Sequence, residues 1–347
     1  MYELWEQAQL GPLTLKNRTV RSATNEHLSE PDGRLTRVWA DTLIELAKNQ
    51  VGLVITGHFS VDGSQRADEG QPVMDSRADP ELLRLAASGV HAHGGTLVAQ
   101  LSHSGPKAPP AVNGLPAKHP ADFSPEELDR LVDQFVFAAR LCQQAGWDGV
   151  QIHNAHGYLL SSFLNPQTNH RTDEYGGSLE NRFRLTGRIL NAVRRACGKN
   201  FALLVKLDAN GCGDLHGLLR LFQAADVDGA EVSGVDFSAR AGVKEPFYLR
   251  DLEQARDGIS MPLILVGGIF SLRAAHNVLA AGIPFVSFSR ALICQPDFVA
   301  RMEAGVQEES ACLACNSCYK VYRQRPVRCV QHTVPIPQLS KVFGSRG

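Results

Sequence analysis

Short runs of aliphatic and β-branched residues alternate with longer amphipathic segments along most of the chain. Eight of the short runs are predicted strands, because they are brief, apolar and bounded by turn residues; they lie at 19–24, 51–56, 96–101, 149–153, 202–207, 229–233, 262–266 and 284–288. Helical spacing marks the segments between them, most clearly at 37–48, 81–93, 126–145, 179–197 and 272–281. Ser124-Pro125 and Asp79-Pro80 are typical helix starts, with a capping side chain before a proline.

Eight strands, each followed by a helix, predict an α/β fold of the (β/α)8 TIM-barrel type. We expect the barrel to span residues 1–305, with a short Cys-rich C-terminal extension over 306–347 packed on or beside it. An open, doubly wound sheet is the alternative, because helical spacing alone does not distinguish the two architectures. The count of eight favours the barrel.

Composition and charge argue against some classes of function. The chain has 347 residues, 44% of them hydrophobic and 20% charged, with a formal net charge of −1. That balance gives no electrostatic reason to bind nucleic acid or an acidic membrane surface. No apolar run approaches a bilayer's thickness, and the first residues lack the basic start of a secretory signal. We therefore expect a cytoplasmic protein.

Polar and small residues follow the predicted strands. His153, His156 and Tyr158 come directly after the fourth strand, where a barrel carries its chemistry. The other strand ends contribute Ser22, Ala23, Thr24, Gly57, Gln100 and Lys206. Each residue alone is explained equally well by a hydrogen-bonded rim. Together, on one face, they predict a large polar ligand.

The last two strand ends predict a phosphate site. Gly267-Gly268 lies in a strand-to-helix turn, Ser271 opens the helix that follows, and helix N-termini attract anions. Ser289-Arg290 follows the eighth strand, and a guanidinium suits bidentate phosphate contact. Barrels often bind phosphate between the loops after strands seven and eight.

Several long stretches resemble one family. They are "LKNRTVRSATNE", "VGLVITG", "VHAHGGTLVAQLSHSG", "GWDGVQIHNAHGYLLSSFLNPQTNHRTDEYGGSLENR", "PLILVGGI" and "FVSFSRALICQPDF". The sequence resembles the Old Yellow Enzyme family of FMN-dependent NAD(P)H:flavin oxidoreductases, most of all the branch of bacterial 2,4-dienoyl-CoA reductase and its single-domain relatives.

The resemblance implies roles for the residues already singled out. Ser22, Ala23, Thr24, Gly57, Gln100 and Lys206 would surround the FMN ring, and Gly267, Gly268, Ser289 and Arg290 would hold its phosphate. His153 and His156 would bind the oxygen of an enone-type substrate, and Tyr158 would donate a proton to its α-carbon. NAD(P)H would be the reductant, with the choice between NADH and NADPH left open, and a homo-oligomer is compatible with the family.

The chain departs from the family pattern in two places. Lys206 and Pro106 stand where arginines are usual, and the loops nearby are short. The tail carries four cysteines with a spacing close to that of an iron–sulfur site in dienoyl-CoA reductase: Cys312, Cys315, Cys318 and Cys329. Four thiolates suit a [4Fe–4S] cluster or zinc, and a cluster that binds nothing is the alternative. We expect no second flavin domain, so NAD(P)H would reduce FMN directly.

Two other functions stay open. A barrel could bind FMN or another phosphate ligand with little or no turnover, which the short loops favour. A non-redox aldolase or isomerase would need a Schiff-base lysine or an acid–base carboxylate at the mouth. Lys206 is the one obvious lysine at a strand end, so this alternative ranks last.

Overall fold

The computed structural model describes residues 2–320 and 326–331. Parallel strands form a closed ring, in which the second barrel strand pairs with both the first and the third. The eight barrel strands are β3 (Thr19–Arg21), β4 (Leu53–Ile55), β6 (Thr96–Ser102), β7 (Gly149–Asn154), β8 (Ala202–Asp208), β9 (Gly229–Ser233), β10 (Leu263–Val266) and β11 (Phe285–Phe288). The predicted (β/α)8 barrel is thereby confirmed.

An antiparallel hairpin lies against the apolar layer inside the barrel. Its strands are β1 (Ala8–Leu10) and β2 (Leu13–Leu15), paired so that Ala8 is opposite Leu15. Their inward side chains join an apolar cluster with residues from the barrel interior, among them Val20, Leu53, Val98, Leu204, Ile264 and Phe285. This hairpin was not predicted, because strands of three residues give too short an alternation of apolar and polar positions to recognise.

The second barrel strand is interrupted. β4 pairs with the first half of β6, while a two-residue strand β5 (Phe59–Ser60) pairs with its end at Leu101 and Ser102. Between β4 and β5 the segment 56–58 leaves the ladder, although the Thr56 N–H still donates to the Val98 carbonyl. The break turns the side chain of residue 58 toward the barrel mouth.

Helices cover the outside of the barrel and pack on its strands through a large apolar core. They are α1 (Arg37–Lys48), α2 (Pro80–His91), α3 (Pro110–Asn113), α4 (Pro125–Gln144), α5 (Leu159–Leu164), α6 (Leu179–Cys197), α7 (Leu215–Ala224), α8 (Leu249–Ala255), α9 (Leu272–Ala280), α10 (Arg290–Cys294), α11 (Phe298–Glu303) and α12 (Ser317–Lys320). The five predicted helices agree within two residues at each end. Asp79 and Ser124 cap α2 and α4 as predicted. No helix among the described residues has the length and apolar character needed to cross a bilayer.

The described part of the tail lies on the barrel. Backbone bonds join Ser310 to the Phe270 carbonyl, Gly242 to the Ala314 carbonyl and Val327 to the Glu26 carbonyl. The rest of the tail, residues 321–325 and 332–347, lies outside the described residues. The two-part division at residue 305 stays a prediction.

The long loop after β7 is held by one arginine. Arg171 donates through Nη1 to the carbonyls of Pro120 (2.6 Å) and Phe123 (2.9 Å), and it also pairs with Asp173. The Arg171 side chain is 9% exposed. It therefore ties the segment between β7 and α6 to the segment before α4.

We expect Arg171→Lys to lower the free energy of unfolding by about 1–3 kcal/mol, because an ammonium cannot bond two carbonyls and a carboxylate at once. Urea denaturation measures the change. The matched control is Asp173→Asn, which removes only the half-exposed ion pair and should cost less than about 1 kcal/mol. Equal losses in both variants would contradict the role given to the two carbonyl contacts.

Candidate functional site

A layer of polar side chains crosses the barrel interior above the apolar cluster. Glu231 of β9 lies at its centre, fully buried. It accepts from Ser287 Oγ at 2.7 Å and from Gln151 Nε2 at 3.1 Å, and Gln100 Nε2 in turn donates to Gln151 Oε1 at 2.7 Å. The Gln100 amide is thus bound within this layer.

Lys206 carries the positive charge of this layer. Its Nζ lies 3.2 Å from Glu231 Oε2 and donates to Ser22 Oγ at 2.7 Å. Burial alone would raise the pKa of Glu231, but Lys206 and the hydrogen bonds from Ser287, Ser22 and Gln151 outweigh it and lower that pKa. The carboxylate is therefore charged, and it compensates the lysine expected to face the FMN ring.

Four aromatic rings meet at the mouth of the barrel. The ring centroids of His153 lie 5.3 Å from His156 and 5.0 Å from Tyr158. A fourth ring, His58, lies 4.8 Å from Tyr158 and 6.0 Å from His153. The three residues predicted from the end of the fourth strand are therefore together, and the sequence analysis missed His58, whose signal was its place directly after Gly57 at a strand end.

A left-handed turn brings these rings together. His156 has φ = 64° and Gly157 has φ = 74°, so the chain reverses just past β7. A non-glycine residue in this region is strained, and two contacts hold it: its N–H donates to Asp208 Oδ2 at 2.7 Å, and its Nε2 lies 3.0 Å from Ser233 Oγ. The turn returns Tyr158 over the ring of His153.

The histidines of the cluster are neutral near pH 7. Burial, followed by neighbouring histidines and lysines, holds the pKa of His153 and of His156 well below the usual range. Burial is also the main cause that lowers the pKa of His58 to about 4. Each ring therefore offers one N–H and one lone pair. His153 Nδ1 is buried without a hydrogen-bond partner among the described residues.

The segment after β3 lies against the break in the second strand. Thr24 Oγ1 donates to the Ser22 carbonyl at 3.1 Å and is 3.5 Å from Ser289 Oγ. A Cβ on Gly57 would lie 2.5 Å from the Thr24 carbonyl oxygen, so the two backbones can approach this closely only with glycine at position 57. Ala23, which precedes Thr24, is partly exposed.

The predicted phosphate end is partly covered by the tail. Gly267 and Gly268 both have positive φ, 124° and 76°, as a tight turn after β10 requires. Arg290, only 6% exposed, donates to the Ala314 carbonyl and to Asn316 Oδ1. The guanidinium expected to bind phosphate therefore also anchors the tail.

The tail cysteines line one narrow cavity. Its wall includes Cys312, Cys315, Cys318 and Cys329, and also Cys294 at the end of α10, which was not predicted to belong to this group. All eight cysteines of the chain are free thiols. Among the residues that the structure describes, no three histidine, cysteine, aspartate or glutamate side chains are grouped as a metal ion would need. The iron–sulfur or zinc site thus stays a prediction.

Comparison with known proteins identifies relatives along nearly the whole chain. The model of the NADH:flavin oxidoreductase / NADH oxidase family matches residues 3–309. A 4,4'-dithiodibutanoate disulfide reductase of Rhodococcus erythropolis is 32% identical, covering 91% of this chain and 92% of that relative. A NADH oxidase of Thermoanaerobacter brockii is 27% identical over 95% of this chain, which spans only 56% of that relative. The solved structure of an old yellow enzyme homologue from Zymomonas mobilis has a TM-score of 0.78 at 25% identity, covering 89% of this chain and 94% of that one.

Asp208 gives the site a pH-dependent stability. Burial is the main cause that raises its pKa from 3.8 to about 7, so between these values the native carboxyl holds a proton that the unfolded chain releases. The free energy of unfolding should therefore fall by up to about 4 kcal/mol as pH rises from about 4 to about 7. Asp208→Asn should remove that decline, as measured by urea denaturation at several pH values. The control is Asp133→Asn, which replaces an exposed carboxylate. If the free energies of unfolding of wild type and Asp208→Asn differed by the same amount at every pH, the assignment would be contradicted.

Proposed function

We propose a reaction for this chain on one established premise: it belongs to the NADH:flavin oxidoreductase / NADH oxidase family. It is an NAD(P)H-dependent flavin oxidoreductase, as its relatives are, and membership implies FMN and NAD(P)H. The proposal concerns the acceptor, which we take to be the activated C=C bond of an α,β-unsaturated carbonyl compound. The observation that carries it is the group of His153, His156 and Tyr158 at the barrel mouth, where a buried nitrogen of His153 has no hydrogen-bond partner among the described residues.

The residues at the strand ends fit FMN by their chemistry. Ser22, Thr24, Gly57, Gln100 and Lys206 would lie around the ring system, and Gly267, Gly268, Ser289 and Arg290 at the phosphate. The buried His153 Nδ1 and the two consecutive left-handed glycines support this assignment. Because Lys206 is paired with Glu231, we expect it to contribute a hydrogen-bonding group in a locally neutral setting.

When bound, FMN supplies the hydride-transfer chemistry of the reaction. His153 and His156 would bind the substrate's carbonyl oxygen, on which negative charge grows as the β-carbon is reduced, and N–H donors there stabilise it. Neutral imidazoles suit this task because they donate without carrying a charge of their own into a buried site. Tyr158 would hold the proton for the α-carbon, since a phenol can protonate a strongly basic carbon.

A second function is supported by the phosphate end. Arg290 is already bonded to Ala314 and Asn316, which favours a barrel that holds FMN or another phosphate ligand weakly and turns over little substrate. Full FMN occupancy with no reduction of any enone by NADPH would favour this reading over the ene-reductase.

The four tail cysteines form a separate proposal. The proposal of a thiolate-bound metal is based on their spacing along the chain, and a metal would have to draw the four thiols closer together than they lie among the described residues. Elemental analysis of the purified protein would then find about one zinc or four irons per chain. We also propose that the protein is cytoplasmic, which its eight free thiols support, and that it forms a homo-oligomer.

We expect the purified protein with FMN to be reduced by NADPH and reoxidised by an enone such as cyclohexenone. Tyr158→Phe should slow the reoxidation by enone about 100-fold or more, because the general acid is lost, and leave the reduction by NADPH within about twofold. Stopped-flow absorbance of the flavin measures each half separately. Equal losses in both halves would reject Tyr158 as the acid, and a wild-type protein with no enone reoxidation would reject the proposed acceptor.

A further inference from the structure

The cluster at the barrel mouth contains a residue with no role so far. His58 follows the break in the second barrel strand and is 7% exposed. Its Nε2 lies 3.5 Å from the Tyr158 hydroxyl, and the two rings meet edge to face. What this contact does depends on which nitrogen of His58 carries the proton.

The orientation of the Gln71 side-chain amide is fixed by its hydrogen-bond partners. Its Oε1 accepts from the backbone N–H of Ala67 at 2.6 Å and from Ser104 Oγ at 3.2 Å. A backbone N–H can only donate, so the oxygen must lie at that end of the amide. Gln71 Nε2 then lies at the other end, 3.2 Å from the His58 carbonyl oxygen, which can only accept.

The fixed amide determines the tautomer of His58. Gln71 Nε2 is 2.8 Å from His58 Nδ1 and must donate to it, so Nδ1 carries a lone pair. A neutral imidazole then has its proton on Nε2, which is the nitrogen that faces Tyr158. Burial keeps His58 neutral, as its lowered pKa indicates, and a second proton on Nδ1 would meet the amide's own N–H groups.

We propose that His58 is a positioning residue that donates its Nε2–H to the Tyr158 oxygen and stabilises the phenolate left after proton transfer. The proposal rests on the proposed ene-reductase reaction. In that step the Tyr158 O–H bond breaks and a C–H bond forms at the substrate's α-carbon. The phenolate regains its proton from water, and His58 keeps its own proton throughout. At 3.5 Å the contact is weak for a neutral phenol, and it shortens as the oxygen becomes charged.

Other charges near the pair set the conditions of the test. The titratable groups that act on His58 are Asp68, His27 and Lys206, and Lys107 Nζ lies 5.7 Å from the centre of the Tyr158 ring. None of them is altered in the variants below. A change in pH dependence on replacing His58 therefore reports the loss of its own N–H.

Two variants separate donation from packing. His58→Phe keeps a flat ring and removes the donor, while His58→Gln places an amide N–H near the position of Nε2. In stopped-flow measurements on the FMN-loaded protein, His58→Phe should slow the enone half-reaction about 10-fold to 100-fold, and His58→Gln should recover most of that loss. Reduction by NADPH should stay within about twofold in both.

The pH profile gives a readout that packing alone would not move. The enone half-reaction should fall at high pH as Tyr158 ionises, and His58→Phe should shift that fall upward by about one pH unit, because the phenolate loses a donor. An unchanged limb would overturn the proposal. So would His58→Gln as slow as His58→Phe.

The tautomer of His58 can also be measured directly in the unaltered protein. Nitrogen NMR of histidine-labelled protein, with the His58 signals assigned by their loss in His58→Gln, should show Nε2 protonated and Nδ1 bare. A protonated Nδ1 would overturn the inference. If wild type shows no enone reoxidation but has this tautomer, the proposed acceptor fails and the orientation of His58 stands.

Discussion

The buried carboxylate of Glu231 is the constraint on which the interior of the barrel depends. A charge removed from water costs several kcal/mol unless it is paired and hydrogen-bonded, and Glu231 has Lys206, Ser287 and Gln151 around it. These partners come from three different strands, so the pairing ties β7, β8 and β11 to β9. Below it lies the apolar cluster shared by the hairpin and the barrel interior, and above it lies the mouth. The ion pair thus marks where the filled core ends and the site begins.

Burial and a nearby cation explain the neutrality of the rings above this layer. Burial is the larger cause that lowers the pKa values of His58, His153 and His156, and the positive charge of Lys206 lowers them further. Neutral imidazoles act as donors whose direction is set by their partners, as Gln71 sets that of His58. The tautomers of the histidines therefore determine which nitrogen atoms at the mouth donate hydrogen bonds.

Much of the fold and of the candidate site could be predicted from the sequence, and the residues that were missed were missed for identifiable reasons. The eight strands and five long helices were predicted because each has its own periodicity, and His153, His156 and Tyr158 followed from the end of one strand. Glu231 was missed because its partner Lys206 lies in the preceding strand, and only the parallel register places the two side by side. His58 was missed because its contacts come from residues 13 and 100 positions away. Local patterns carry no information about such pairings.

The phosphate end shows two uses of one cation. Arg290 bonds the backbone of Ala314 and the side chain of Asn316, both neutral acceptors. A phosphate would offer the same guanidinium a charge-assisted, bidentate contact, which is about twice as strong per hydrogen bond. Both contacts with the tail are made by Nη1 of Arg290, so the proposed phosphate would share one side chain with residues 314–316. Arg290 also lines the cavity of the tail cysteines, which places that cavity directly beside the proposed phosphate end.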